Sequence, residues 1–421
     1  VFVGGPPALT WAAVMPLPEQ IPELVFAGAL AGRPIRMTPT PHSPVPVAAE
    51  ADFVIIGWID PVATKPEGPF GDHTGFYSLA DWYPKFHVTC ITSKRDAIYP
   101  ATIVGIPPME DSYLAKITER LFLSPIKLAI VPEVVDMFLP VEGVAHNIAI
   151  VKINKSYPGQ AYKVANAFWG AGQMMFNKIM VIVSSNIDIR NPQAVAEEIT
   201  IHFNPESDMY IGRGPLDVLD HASVKAGVGG KMLIDATEKM PEEAETITPV
   251  PLPDAALLAK AFNEFPEAEY SLNTSLLLRG ISALIVAVDK SRGISAKQFA
   301  SQLAAVSKEL LPKIILYVDH ELNPEDIPRV CWYATANIDP ARDCFYVDAD
   351  NIRLPCLMID GTRKSFPMDS FNRPWPNIVV SDEDTIRAID AKWESFNIGK
   401  FIQSPSRSIF QLGSGSEVVM K

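Results

Sequence analysis

Lys65-Pro66-Glu67-Gly68-Pro69-Phe70-Gly71-Asp72-His73-Thr74-Gly75-Phe76-Tyr77 packs three glycines and two prolines into thirteen residues. That composition rules out a helix and a regular central strand, because proline removes backbone donors and glycine resists ordering. What remains is a shaped loop carrying two carboxylates, Glu67 and Asp72, five residues apart on stiff backbone. Gly68 and Gly71 let the chain turn tightly or let a ligand approach the main chain. Phe70, Phe76 and Tyr77 can exclude water around the acids, which raises a carboxylate's pKa and suits it to proton donation near neutral pH. Taken alone, the same residues also fit a glycine-rich surface turn with solvated acids.

Outward from the loop, several further motifs stand in order: Phe86-His87-Val88-Thr89-Cys90-Ile91-Thr92, Asp96-Ala97-Ile98-Tyr99, and Gly105-Ile106-Pro107-Pro108-Met109-Glu110-Asp111. Together with Glu67 to Gly75 they resemble the UbiD-like decarboxylases, which use a prenylated flavin. The resemblance holds from the first residue to about Pro241.

The resemblance implies prenylated FMN as cofactor, supplied by a flavin prenyltransferase, with Mn²⁺ or Mg²⁺ at its phosphate and K⁺ as a further candidate ion. It implies that Glu23, in Pro16-Leu17-Pro18-Glu19-Gln20-Ile21-Pro22-Glu23, binds the divalent metal; a hard carboxylate oxygen suits such an ion. The residues alone give Glu23 a simpler role, as a negative charge in a helix's first turn. Met15 and Pro16 fall where the family packs against the cofactor. Asp72 is implied as the acid that protonates the carbon losing CO₂, with Glu67 in a polar network with it and an arginine. Tyr113 and Leu114 fall near the substrate by family position, and equally fit as ordinary core side chains. The family's arginine, and the asparagine and histidine that share the metal with Glu23, have no counterpart after Val1. With no initiator Met at that position, the expectation is that the chain starts inside a longer protein.

Composition narrows the alternatives. At 421 residues and 48% hydrophobic content the chain can bury substantial cores over two or three domains. A net charge of -13 disfavours nucleic acid and anionic membranes as main partners. No apolar run reaches the ~18–20 residues of a transmembrane helix, and Val1-Phe2-Val3-Gly4-Gly5 has no basic region of a signal peptide. Cys90, Cys331, Cys344 and Cys356 show no CxxC spacing, so neither a disulfide framework nor a zinc site is indicated, and a reducing cytoplasm is expected. No P-loop, HExxH, GxSxG or strand-borne GxGxxG is present. His73, inside the loop, is assigned a steric or hydrogen-bonding role.

Along the chain, Pro7–Val14 and Ile21–Leu30 read as helices, and 36–38, 52–59, 85–92 and 98–104 as strands. Asp111–Phe122 reads as an amphipathic helix capped by Asp111 or Ser112. Several strands, few helices and irregular loops suggest a barrel-like sheet domain, and the resemblance implies a split β-barrel. From Ile148 the pattern becomes alternating β and α. Buried strands are expected at 148–153 and 179–183 and helices at 159–175 and 192–203, a mostly parallel, doubly covered sheet.

That unit repeats. Val151 to Ser156 reappears as Val286 to Ser291, Lys178 to Val183 as Lys313 to Val318, and Asn204 to Asp208 as Asp339 to Asp343, all 135 residues on. Met232 to Thr237 answers Leu357 to Thr362 only 125 residues on, so the second copy lacks about ten residues around His221 to Gly230. The omitted piece includes Lys225-Ala226-Gly227-Val228-Gly229-Gly230-Lys231, a loop able to cradle phosphate through amides and lysine. The expected fold is therefore α/β (α+β overall), with a split-barrel flavin domain and a duplicated, degenerate α/β domain. The expected division is 1–145, 146–241, a linker at 242–253, the second copy at 254–370, and a helix and tail at 371–421, mobile from Gly413.

The function expected from all this is non-oxidative decarboxylation of an aromatic or α,β-unsaturated acid by a homodimer or larger homo-oligomer. Pro107 to Leu114, Thr118 to Leu123 and Val141 to Asn147 most resemble the branch serving menaquinone biosynthesis. That points to a hydroxynaphthoate before a polyprenyl-hydroxybenzoate of ubiquinone biosynthesis. The competing reading is a non-catalytic assembly subunit of a related complex.

Overall fold

The computed structural model describes residues 1–15, 17, 19–243, 252–266, 270–412 and 419–420. Pro16, most of the expected linker and nearly all of the tail beyond Gly413 lie outside the described residues. The chain forms two compact units, one of residues 1–70 with 78–103, the other of 71–77 with 104–421.

In the first unit β1 (Phe2–Val3), β4 (Phe53–Glu67) and β5 (Asp81–Ser93) make an antiparallel sheet in the order β1-β4-β5. Strands β2 (Met37–Thr40) and β3 (Ser43–Ala48) form a separate hairpin. Helices α1 (Pro7–Ala13) and α2 (Glu23–Ala31) contribute Leu9, Ala12 and Ala27 to a small core with Ala48, Val54 and Ile56. β4 runs further than its prolines suggest, to Glu67, because Pro66 sits where β1 has ended and β5 is its sole partner; an edge tolerates a missing donor. The strand expected over 98–104 is not formed. Pro100 removes a ladder donor there, and Ile98, Tyr99 and Ile103 are exposed.

The second unit holds two five-stranded sheets of identical order. In the first, β6 (Val134–Phe138) and β9 (Met209–Pro215) flank antiparallel a parallel trio of β7 (Ile148–Ile153), β8 (Ile179–Ser184) and β10 (Val228–Ala236). In the second, β11 (Tyr270–Asn273) and β14 (Cys344–Phe345) flank β12 (Ala283–Val288), β13 (Ile314–Asp319) and the strand Leu357–Asp360 in the same way. Strands β12, β13 and β14 and helix α9 (Ile327–Asn337) each begin 135 residues after β7, β8, β9 and helix α5 (Pro192–His202). The duplication read from sequence is thus a duplication of fold.

The parallel strands are buried on both faces, which explains their continuous Val/Ile runs. Met180, Ile182 and Leu233 of the first sheet face an outer core with α4 (Gln160–Trp169). Leu284, Val286 and Met358 of the second face another with α6 (Ala255–Phe262) and α8 (Ala296–Ser307). Alternate residues, Val181 and Ile234 on one sheet and Ile285 and Ile359 on the other, meet in one shared core with Val195 of α5 and Val330 and Trp332 of α9.

Two helices depart from expectation. α3 spans Glu110–Ala129, with Met109 at its N-cap position, and continues through Pro125 because Phe122, Leu123 and Ile126 pack into the first sheet's outer core. α4 stops at Gly170, and a short 3₁₀ turn, Gly172–Phe176, follows where glycine ends the helix. The glycine-rich stretch is not a phosphate loop. Gly229 and Gly230 lie in β10, the Gly230 amide donates to Asp339 at 2.9 Å, and an added Cβ would meet the Ala341 nitrogen at 2.4 Å. Lys231 is buried, its ammonium pushed down to about 7 by burial, and donates to the Asn177 carbonyl at 2.7 Å.

Candidate functional site

The loop that opens the sequence reading is divided between the units. Glu67 belongs to the first, exposed at the end of β4 and opposite Asp81 in the β4–β5 ladder. Gly71–Tyr77 belongs to the second, closed on itself by the Gly71–Tyr77 bridge and by Gly75 N donating to Asp72 O at 3.0 Å. A bridge from Phe76 to Ile378 ties it to the chain after the second sheet, with Tyr77 N donating to Asn377 O and Val379 N to Gly75 O, both at 2.9 Å. Phe76 is 2% exposed and anchors the turn, since truncating a buried phenylalanine costs about 3–5 kcal/mol.

Held this way, Asp72 and His73 form a pair. The Asp72 Oδ1 oxygen accepts from the His73 backbone N–H at 2.7 Å and lies 3.0 Å from His73 Nδ1. The side chains are 22% and 27% exposed, so the pair opens to solvent at one side. Partial burial pushes the Asp72 carboxyl up, but the hydrogen bonds and charge of His73 outweigh it and hold the acid below its ordinary range. Burial likewise pushes His73 down, and Asp72, with Asp111 and Asp217, more than reverses it. Sequence reasoning expected the aromatic surroundings to raise Asp72's pKa. The direction is opposite, because the hydrogen bonds and charge of the adjacent His73 outweigh the effect of burial.

Beside His73 is a largely apolar cavity lined by Pro107, Met109, Ala115, Leu139, Pro140 and Val144. His73, Asp111 and Ser112 are its polar groups. Tyr113 and Leu114 are 67% and 37% exposed and do not line it. The intervening face of α3 presents Ser112 and Ala115 instead. Behind His73, the His146 ring stands edge-on at 5.5 Å, pushed down to about 4 by burial, its buried Nε2 without a partner among the described residues.

Beneath the loop lies the segment the second copy lacks. Its Asp220 pairs with Lys178 at 2.7 Å, its His221 ring packs on Phe76 at 4.4 Å, and His221 Nε2 lies 3.0 Å from Asn337 Oδ1. Its absence from the second copy was legible in the sequence; its role as a polar prop was not, because its partners are 42 to 145 residues away.

The residues assigned to cofactor and metal lie in the first unit. Met15 is buried, Pro16 is outside the described residues, and Glu23 is exposed in the first turn of α2. Among the described residues no group of three or more His, Cys, Asp or Glu is placed to hold a metal ion. Glu23 is thus one carboxylate and not a complete site.

Comparison with known proteins accords with this architecture. Residues 1–107 match the Rift-related domain, and residues 112–236 and 273–362 the C-terminal domain, of the family described as 3-octaprenyl-4-hydroxybenzoate carboxy-lyase. The chain belongs to this UbiD family. An uncharacterised protein of Helicobacter pylori strain J99 is 36% identical over 398 residues, 93% of this chain and 61% of the relative. One from Aquifex aeolicus is 45% identical over 247 residues, 58% of this chain and 51% of its own length. The chain therefore spans about half to three-fifths of the curated relatives it matches. Among solved structures, the vanillic acid decarboxylase of Sedimentibacter hydroxybenzoicus in its closed form is 27% identical with a TM-score of 0.53, covering 62% of this chain and 56% of that one. The UbiD-class enzyme HmfF of Pelotomaculum thermopropionicum, solved with FMN, is 29% identical with a TM-score of 0.50, covering 59% and 55%.

Proposed function

We propose that this chain is part of a non-oxidative decarboxylase of aromatic or α,β-unsaturated carboxylic acids that works with prenylated FMN. The observation that carries the reading is the Asp72–His73 pair beside an apolar cavity in a chain of the UbiD family. Bound prenylated flavin supplies the electron sink for departing CO₂; Met15, Pro16 and Glu23 are the residues assigned to hold it, Glu23 through Mn²⁺ or Mg²⁺. Asp72 delivers the proton to the carbon that loses CO₂, and Glu67 forms a polar network with it and an arginine that leaves each carboxylate one role. Tyr113 and Leu114 are the residues assigned to the substrate pocket. The domain division at 145, 241, 253 and 370, a reducing cytoplasm, a flavin prenyltransferase as supplier and a homodimeric or larger assembly belong to the same proposal.

His73 stores the proton. With Asp72 held low and His73 raised, the pair's shared proton rests on the imidazole rather than on the carboxyl and passes to Asp72 as it is consumed, so the two titrate as a unit. His73→Asn removes the store. The alkaline limb of the pH–rate profile is then set by Asp72 alone and is expected to move to lower pH. A limb that stays in place would show that the histidine does not carry the proton.

The resemblance of Pro107 to Leu114, Thr118 to Leu123 and Val141 to Asn147 to the menaquinone branch favours a dihydroxynaphthoate as substrate. The test is CO₂ release from dihydroxynaphthoate, prenylated 4-hydroxybenzoate and cinnamate by the full-length protein made with a flavin prenyltransferase. Preference for the second or third overturns the branch assignment, and no release from any overturns the decarboxylase reading.

A further inference from the structure

Beyond the segment the second copy lacks, the two α/β copies differ at a position that bears directly on the acid loop. α5 carries Glu197 where α9, 135 residues on, carries Trp332. Glu197 is exposed, as a charge on a helix should be, whereas Trp332 is 1% exposed. A buried indole needs an acceptor for its N–H, and Trp332 finds the Thr74 carbonyl at 2.7 Å. Its ring lies 5.2 Å from Phe76, inclined at 29° to it, and covers Gly75, where a Cβ would come within 2.7 Å of the indole. Gly75 has φ +83°, so both its backbone conformation and the indole against it exclude a side chain.

We infer that Trp332 is a positioning residue for the Asp72–His73 pair, and that the second α/β copy is specialised to hold the acid loop from behind. The indole fixes the Thr74 carbonyl, the first acceptor after His73, and the Val379 amide fixes the next, Gly75. With both peptides held, the backbone on the C-terminal side of the pair cannot rotate, and the 3.0 Å contact between Nδ1 and Oδ1 is preserved. Asp111 of α3, Asp217 and His146 also face His73, so its charge environment has other sources. The loop's geometry governs the Asp72 contact alone. The inference rests on the decarboxylase reading only for its kinetic consequence.

The test replaces Trp332 with Phe and, in a second protein, with β-(3-benzothienyl)alanine, which keeps the two-ring shape and lacks the N–H. His73 is titrated by NMR in the full chain, its signal assigned by its loss in His73→Asn. In both proteins the His73 pKa is expected to fall toward the ~6.5 of a free imidazole. In holoenzyme kcat should drop about 10- to 100-fold, as for a misplaced catalytic group, with KM changed by less than about twofold. An unmoved His73 titration in the folded benzothienylalanine protein overturns the inference whatever the activity. A shifted titration, in a protein whose Trp332 form releases no CO₂, supports the positioning role and faults the activity reading instead.

Discussion

Asp72→Asn is expected to lower CO₂ release by roughly 100- to 10,000-fold, the range for loss of a positioned acid. The amide keeps the carboxylate's shape, and its oxygen can still accept the His73 backbone N–H that Asp72 Oδ1 accepts at 2.7 Å. What it loses is the exchangeable proton and the charge that binds the His73 imidazole. The loop should survive, since its anchors are elsewhere: Phe76 in the shared core, Trp332 on the Thr74 carbonyl, and residues 377–379 along Gly75 to Tyr77. Single-turnover CO₂ release by the full-length holoenzyme, with a melting curve to show an unchanged fold, makes the measurement. Undiminished release would remove Asp72 from the reaction and leave His73 or Glu67 to supply the proton.

The acid loop and the duplicated sheets were legible because each leaves a local mark. Glycines and prolines at fixed positions specify a turn, and doubly buried parallel strands demand the Val/Ile runs that made the 135-residue offset visible. What escaped depends on groups distant in the chain or on the phase of a helix. Gly229 and Gly230 look like a phosphate cradle until Asp339, 109 residues on, takes the Gly230 amide. Tyr113 and Leu114 are neighbours of cavity residues Ser112 and Ala115, yet each step along a helix turns the side chain by about 100°, so adjacency in sequence does not give a shared face. The sign of the Asp72 shift was harder still. His73 is next in the chain, but only the folded turn directs Nδ1 back onto the carboxylate rather than into solvent. The exchange of Glu197 for Trp332 could have been read by aligning the two copies; its meaning required Thr74, 258 residues away.

Lys178→Met is expected to destabilise the protein by about 3–5 kcal/mol at neutral pH, the cost of leaving a buried charge without its partner. Lys178 and Asp220 have side chains 1% and 3% exposed and meet at 2.7 Å. The lysine also reaches the Ala336 carbonyl of α9 at 3.5 Å, so the pair lies on the seam between the two copies. Burial alone pushes the Asp220 carboxyl up; the charge and hydrogen bond of Lys178 outweigh it and hold the acid below its usual range. A carboxyl depressed on folding contributes stability above its unfolded value of ~3.9, and that contribution is lost as pH falls through the folded value. Without Lys178 the opposing effect of burial dominates, and the folded value rises above the unfolded one. The penalty is then full at neutral pH and shrinks as pH falls toward ~4, where Asp220 is protonated in the folded state and about half protonated in the unfolded one. The double replacement Lys178→Met with Asp220→Leu removes both charges and should recover most of the loss, since apolar substitutes for a buried pair are often neutral or stabilising. Denaturant midpoints of the three proteins at pH 4 and pH 7 decide the matter. An equal loss at both pH values would mean that the packing of the lysine stem, and not the stranded carboxylate, is what Lys178 contributes.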